Sequence, residues 1–319
     1  MTTAFTPPAP TDVLDAAARI AGHVVRTPML RNAALDRASG GTILVKPEVL
    51  QRTGSFKLRG ATHALLRLTQ DQRAAGIVTY SSGNHGQAIA CAAAGLNAAA
   101  TIVMPADAPA IKRDATAAWG AKIVSYDRLT EDREAIGRKI QADTGATLIP
   151  PYDHPDVIAG QGTLALELAA DAKQAGLTLD VLLVPAGGGG LVAGCALGLA
   201  AVSPATKIYA VEPQGWDDTG RSLRSGQHES NDMQGSKLCD ALLAATPGQL
   251  TFPINQKYLA GGVAVTDDEV RAAQAFAARH LKLVVEPGGA VALAALLAAR
   301  VDATGKTVGI VLSGGNADL

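Results

Sequence analysis

Aromatic side chains are scarce in this 319-residue chain, 3% of it, although 48% is hydrophobic. A core large enough for one big domain or two moderate ones must therefore be assembled from Ala, Val, Leu and Ile. An excess of either charge is missing too: 28 basic residues meet 29 acidic ones, mixed along the chain, for a net charge of −1. That balance leaves no electrostatic footprint for nucleic acid or an anionic membrane, and small-molecule chemistry becomes the default. Only three cysteines occur, Cys91, Cys195 and Cys239, far apart and in Ala- or Leu-rich surroundings. They point to buried thiols in a reducing compartment such as the cytoplasm, not to a disulfide frame or a zinc knuckle. The opening MTTAFTPPAPTDVLDAA has neither a basic n-region nor an apolar h-region, so a secretory leader is not expected. Between Asp180 and Lys207 charge is absent altogether, over a length that could span a bilayer. Pro185 and four consecutive glycines interrupt that stretch, and strand, loop and helix describe it better.

Helical and strand patterns alternate almost throughout. Strands are expected at TILVKP (42–47), GIVTY (76–80), AAATIVMP (98–105), AKIVSY (121–126), 147–149, VLLV (181–184), KIYAVEP (207–213) and VGIVL (308–312). Helices are expected from Thr11, as a cap, to Ala21, and over 84–95, 108–119, 131–144, 156–175, 191–202, 267–281 and 288–300. Such alternation is the signature of an α/β protein with open, parallel, doubly wound sheets covered by helices. Two blocks are visible. Residues 1–75 with 151–319 form a larger domain and residues 76–150 a smaller one, with a ligand cleft between them. The stretch 215–258 is polar and aperiodic, and reads as a loop-rich flap or interface.

Four polar turns in this pattern carry chemistry. Gly187 to Gly190 lie between a strand and a helix, where free N–H groups and the helix dipole form an anion site that a phosphate can approach closely. A flexible turn or tight helix–sheet packing is the plainer account of the same glycines. A dinucleotide fold competes as well, because Gly188, Gly190 and Ala193 satisfy G-x-G-x-x-A with Glu212 at the end of the next strand. The P-loop fails, since no Lys-Ser/Thr pair follows. GSFKLRG (54–60) offers one amine, Lys57, at a helix entry. SSGNHGQ (81–87) offers hydroxyls, an amide and N–H groups at another helix start, a natural carboxylate seat. LSGGN (312–316) puts Ser313 at the carboxyl end of a strand. An amine, a phosphate cradle, a carboxylate seat and a hydroxyl are the set that pyridoxal phosphate requires. A nicotinamide oxidoreductase would leave Lys57 and Ser81 to Asn84 idle, and the intact Lys57 argues against a non-catalytic sensor.

SFKLRGA (55–61), SSGNHGQA (81–88), IAGQGT (158–163), GGGG (187–190), VEP followed by DD (211–218), VVEPGGAVALAA (284–295) and LSGGNADL (312–319) occur in this order. From about residue 10 onward the chain thus resembles the serine/threonine dehydratase and serine racemase group of type II fold pyridoxal-phosphate enzymes. The resemblance implies a tryptophan-synthase-β-like fold with the active site in the interdomain cleft, and a homodimer is the expected assembly. It implies that Lys57, beside Phe56, carries pyridoxal 5′-phosphate as a Schiff base and shuttles the Cα proton. It implies further that Gly187, Gly188, Gly189 and Gly190 hold the phosphate, Asn84 the ring's 3′-oxygen and Ser313 the ring nitrogen. Ser81, Ser82, Gly83, Asn84 and His85 would seat the substrate carboxylate. Ser82 matches the serine that faces the other side of Cα in the racemases, although a helix-entry hydroxyl explains it equally well. Glu212, Asp218 and a backbone carbonyl near Trp216 resemble the group's Mg2+ or Ca2+ site, where Trp216 departs from the usual small residue.

A serine at the ring nitrogen makes the ring a weak electron sink, which favours expulsion of a β-substituent over transamination. The expected reaction is β-elimination from L-serine or L-threonine, with the cofactor phosphate as candidate proton donor to the leaving hydroxyl, giving a 2-oxo acid and ammonia. Dehydration of 3-hydroxyaspartate, or racemisation of serine or aspartate, are the alternatives on the same scaffold. Arg133, and with it His154, are candidates for meeting a second substrate carboxylate, although a solvated helix residue is the plainer account of Arg133 and the preferred one at this point.

Overall fold

A computed structural model describes residues 5–81, 83–108 and 110–317, Ile111 through its backbone alone. The chain opens with α1 (Pro10–Ile20), α2 (Ala33–Ser39), β1 (Thr42–Pro47), α3 (Lys57–Arg67) and α4 (Gln70–Ala75). There follow β2 (Ile77–Tyr80), α5 (Asn84–Gly95), β3 (Ala100–Pro105), α6 (Ala110–Ala117), β4 (Lys122–Tyr126), α7 (Arg133–Thr144) and β5 (Thr147–Leu148). The rest runs α8 (Pro155–Gln174), β6 (Val181–Pro185), α9 (Gly190–Val202), β7 (Lys207–Pro213), α10 (Asp218–Ser225), α11 (Thr251–Tyr258), β8 (Gly261–Val265), α12 (Asp267–Phe276), α13 (Pro287–Leu297) and β9 (Thr307–Leu312).

The strands form two parallel sheets, one ordered β1-β9-β6-β7-β8 and the other β4-β3-β2-β5. Their near-continuous apolar runs follow from burial on both faces: every residue of β6 and of β2 is buried. Apolar α9 and α13 have no polar face because each lies inside, α13 against one side of the larger sheet and α9 against the other. Two glycines permit the tight crossing of α8 with α9. A Cβ on Gly162 would strike the Gly194 carbonyl, and one on Gly194 the Ile158 carbonyl. Among the described residues no helix is long and apolar enough to cross a membrane, and the uncharged stretch before Lys207 is β6, loop and α9.

Several elements differ from expectation for identifiable reasons. Helix α1 starts at Pro10, not Thr11, because proline at the first helical position sacrifices no hydrogen bond, and Asp12 takes the Ala9 N–H at 2.7 Å. The helix expected to Leu281 is α-helical only to Phe276, then widens through Ala277–Leu281 to a left-handed Lys282. The stretch 215–258 contains α10 and α11 as well as loop. Strand β8, GGVAV, escapes the periodicity because glycine carries no strand signal, and its pairing with β7 holds it in place.

Candidate active site

The carboxyl ends of β6, β9 and β2 converge on a cleft of about 460 Å³ lined by Lys57, Ser81, Asn84, Gly187 to Gly190 and Ser313. A second cavity of about 540 Å³ lies at the opposite, amino ends of β6 and β7, between Asp180, Lys207 and Arg300, and none of these polar turns reaches it. Lys57 is the first residue of α3. The loop before it is tied to the end of β9, where the Phe56 N–H donates to the Ser313 carbonyl at 3.0 Å. Its amine donates to the Pro151 carbonyl at 2.7 Å and sits 5.2 Å from the centre of the Phe56 ring. Burial pushes that amine down to about 8, against the pull of Glu286. A free-base fraction is therefore present near neutral pH, as a nucleophile and general base requires.

Several helices carry a side-chain cap, among them Asn32 on α2, Thr69 on α4, Asp132 on α7 and Thr266 on α12. Two helices that open onto the cleft, α5 and α9, do not. Gly83 precedes α5 and Gly189 precedes α9, and neither has a side chain to satisfy the first N–H groups. Both helix starts therefore present N–H groups that have no side-chain cap among the described residues, and the positive end of a dipole, to the same space, ready for two anions.

Each of the four glycines has a neighbour of its own as well. A Cβ on Gly187 would come within 3.0 Å of the Leu242 backbone, and one on Gly189 within 2.7 Å of Asn255 Nδ2. On Gly188 it would run into the Tyr152 ring, and on Gly190 it would meet Tyr152 Cβ at 2.9 Å. The loop is thin because protein packs its back while the cleft lies at its front.

Asn84, the first residue of α5, donates its amide to Glu286 Oε1 at 2.6 Å and accepts from Asn316 at 2.8 Å. Burial lifts the Glu286 carboxyl to about 7, with the Asn84 bond opposing. His85 is buried, and burial followed by the nearby Lys57 cation drives it down to about 3, so its ring is neutral. Since a carbonyl only accepts, the ring's contact with Ile149 O at 3.3 Å makes Nε2 the donor and leaves Nδ1 unpartnered. The imidazole thus brings no charge to the anion seat. Ser81 Oγ accepts the Gly83 N–H at 3.2 Å. Ser82 lies outside the described residues.

Arg133 opens α7 at the rim of the cleft, 5.6 Å from the centre of the Tyr80 ring, and its guanidinium joins no ion pair or hydrogen bond among the described residues. His154 does not join it. Its Nδ1 accepts the Asp156 N–H to cap α8, and its ring packs edge-on against Phe5. Tyr152, Glu286, Lys112 and Leu242 line the cleft without having been singled out by their motifs. For Tyr152 a signal existed: it is one of only five tyrosines, placed directly after Pro150-Pro151.

Away from the cleft, Glu212 ends β7 and Asp218 begins α10. Burial, then repulsion by Asp218, lifts Glu212 to about 8, and burial lifts Asp218 to about 6. Glu212 accepts the Thr219 and Gly220 N–H groups at 2.9 and 2.8 Å, whereas Asp218 Oδ2 is buried without a partner. The Trp216 indole is turned to the Ser236 carbonyl at 2.8 Å, away from the carboxylates' own hydrogen bonds. Two mutually repelling carboxylates with an orphaned oxygen suit a hard cation. No cluster of three His, Cys, Asp or Glu exists among the described residues, so backbone carbonyls and water would complete its shell.

The model of one protein family, "Pyridoxal-phosphate dependent enzyme", matches residues 20–314. An L-threo-3-hydroxyaspartate ammonia-lyase of Saccharomyces cerevisiae is 46% identical over 97% of this chain and 93% of its own length. An L-threonine ammonia-lyase of Thermotoga maritima is 37% identical over 97% of this chain and 75% of its own. The crystal structure of serine racemase from Dictyostelium discoideum superposes with a TM-score of 0.91 at 38% identity, covering 98% of this chain and 99% of that one. With an amine, two uncapped helix starts and a strand-end serine around one cleft, the chain belongs to the pyridoxal-phosphate dependent enzyme family, in its serine/threonine dehydratase and serine racemase group, and its cofactor is pyridoxal 5′-phosphate.

Proposed function

We propose that this chain is an ammonia-lyase acting by β-elimination on a β-hydroxy amino acid, and that the substrate its cleft suits best is 3-hydroxyaspartate, released as a 2-oxo dicarboxylic acid and ammonia. The observation that carries the choice is Arg133, a guanidinium at the mouth of the cleft with no acidic partner among the described residues. Charge supports it. Lys57, Lys112 and Arg133 are the cations that line the cleft, beside Glu134, Asp240 and Glu286, whose carboxyl burial lifts to about 7. Lys112 is held by Asp240 at 2.5 Å, which leaves Arg133, among the described residues, as the lining cation free to take a second carboxylate. Relatives named as L-threo-3-hydroxyaspartate ammonia-lyases, at 46% identity, agree with this reading.

The bound cofactor supplies the electron sink that acidifies the substrate's Cα–H bond. The remaining work is assigned to this chain's residues. The uncapped start of α5, with Ser81, Gly83, Asn84 and His85 through its backbone, seats the α-carboxylate, and Gly187 to Gly190 at the start of α9 seat the phosphate. Asn84 would hold the ring's 3′-oxygen and Ser313 its nitrogen. Lys57 Nζ removes the Cα proton, and its lowered pKa keeps the base form accessible. Glu212, Asp218 and the Trp216 carbonyl hold Mg2+ or Ca2+ as a structural charge between β7 and α10. Residues 1–75 with 151–319 act as the larger domain and 76–150 as the smaller, each sheet drawing its strands from one of them.

Replacing Arg133 with Gln is expected to lower kcat/KM for 3-hydroxyaspartate by about 10- to 100-fold, the worth of a charge-assisted hydrogen bond. Serine turnover should change far less; equal losses on both substrates would overturn the assignment. Restoring Mg2+ to chelator-treated protein should raise Tm, because a ligand that binds only the native state stabilises it. Glu212→Gln should abolish that rise, and a Tm indifferent to the ion in the unmodified chain would refute the metal site.

A further inference from the structure

The segment Pro151 to His154 ties together pieces that are distant in sequence. Its first carbonyl holds the Lys57 amine at 2.7 Å, and the Tyr152 ring lies against Gly188. Asp153 then reaches across to the start of α11. One carboxylate oxygen accepts the Leu250 N–H at 2.8 Å and the Thr251 N–H at 3.3 Å, and the other accepts the Gln249 N–H at 2.9 Å. Helix α11 has no cap from its own sequence, since the flanking Leu250 offers none. Asp153 is its cap, supplied from about a hundred residues away.

What α11 does with that anchorage is aimed at the glycine loop. Thr251 Oγ donates to the Gly188 carbonyl at 2.8 Å, and the Gly248 N–H reaches the same carbonyl at 3.2 Å. In a trans peptide the carbonyl and the following N–H point in opposite directions. Pinning the Gly188 carbonyl to α11 therefore turns the Gly189 N–H away from α11 and toward the cleft, and that N–H has no acceptor among the described residues. Gly189 holds this orientation at φ 86°, which glycine tolerates. Behind it stands Asn255, fully buried, with neither amide atom partnered among the described residues and Nδ2 at 2.7 Å from where a Gly189 Cβ would be. Neither Thr251 nor Asn255 lines the cleft.

We propose that Asp153 and Thr251 are positioning residues for the cofactor's phosphate group: without touching it, they hold the Gly188–Gly189 peptide so that its N–H faces the phosphate. The inference rests on the reading of Gly187 to Gly190 as the phosphate cradle. Its test compares two probes with the same ring, pyridoxal phosphate and pyridoxal, titrated by visible absorbance into protein stripped of cofactor, with phosphorus NMR of the bound phosphate as a second readout. Thr251→Val, which removes the hydroxyl shared between the Gly188 carbonyl at 2.8 Å and the Gly248 carbonyl at 3.3 Å, and Asp153→Asn are expected to weaken pyridoxal phosphate binding about tenfold, the lower range for losing an orienting contact behind a liganding group. Pyridoxal affinity and the melting temperature of the stripped protein should stay near wild type, and the phosphorus resonance should move toward its free position. Equal weakening of both probes, or of neither, would overturn the proposal. Gly187→Ala, the mildest intrusion into the loop, separates the two levels of the argument. If it leaves the preference for the phosphorylated probe intact, the cradle itself is misplaced. If it erases the preference while Thr251→Val does not, the cradle stands and the brace falls.

Discussion

Lys57→Ala is expected to reduce β-elimination by about 10⁴-fold, the upper end of what a positioned acid–base group supplies. The loss is chemical, not structural. Lys57 occupies the first position of α3, its side chain makes one hydrogen bond, to Pro151 O, and alanine is a better helix former. The variant should therefore fold and melt close to wild type while failing to form the borohydride-reducible adduct that wild type leaves on the peptide containing Lys57. Lys57→Arg should be equally inactive, because a guanidinium stays protonated where the lysine amine, lowered to about 8, does not. A Lys57→Ala enzyme with undiminished turnover would place the base elsewhere, and Glu286 would become the first group to examine.

The largest effect on stability is expected two residues further on. Arg59 has no exposed surface and is held by both carboxylate oxygens of Glu48, at 2.8 and 2.9 Å, and by both of Glu167, at 2.7 and 2.8 Å. Lys46 completes the group, 2.6 Å from Glu167. Two cations thus offset two carboxylates under α3, joining β1, α3 and α8 beneath the catalytic lysine. Arg59→Leu would leave the carboxylates with one cation between them. Breaking a buried pair by removing one partner costs about 3–5 kcal/mol. A fall of the urea midpoint with unchanged slope would register it, and a loss below about 1 kcal/mol would show that solvent reaches the cluster. Burial raises Glu48, but Arg59 more than offsets this and holds its carboxyl below the ordinary value. Its contribution is present at neutral pH and disappears as pH falls through the acid range, so the gap between wild type and Arg59→Leu should narrow there.

The chemistry-bearing turns were legible because each is local. A strand-length apolar run, a glycine turn and an Ala-rich helix leave their mark within about twenty residues, as in Val181 to Val202. Lys57, Asn84 and Ser313 stood out as polar residues at strand ends and helix starts. What escaped notice depended on partners far along the chain. Arg59 reads as a surface charge until Glu48 and Glu167 enclose it, and His154 looked like a pocket residue until Phe5 and the α8 cap claimed it. Glu286 lay in a quoted motif, but only the fold sets it against Asn84.

By itself the sequence determined the α/β class, the two blocks of alternating strand and helix, and the set of groups that a phosphate-bearing aldehyde cofactor needs, since these follow from periodicity and residue chemistry over short distances. Tertiary structure alone decided how that set is oriented: which carbonyl holds the lysine, which helix starts remain uncapped, and why the glycines cannot be replaced. Those answers depend on Tyr152, Asp153 and Asn255 meeting residues 36 to 98 positions away. Contacts of that separation are made by packing, which no local pattern records.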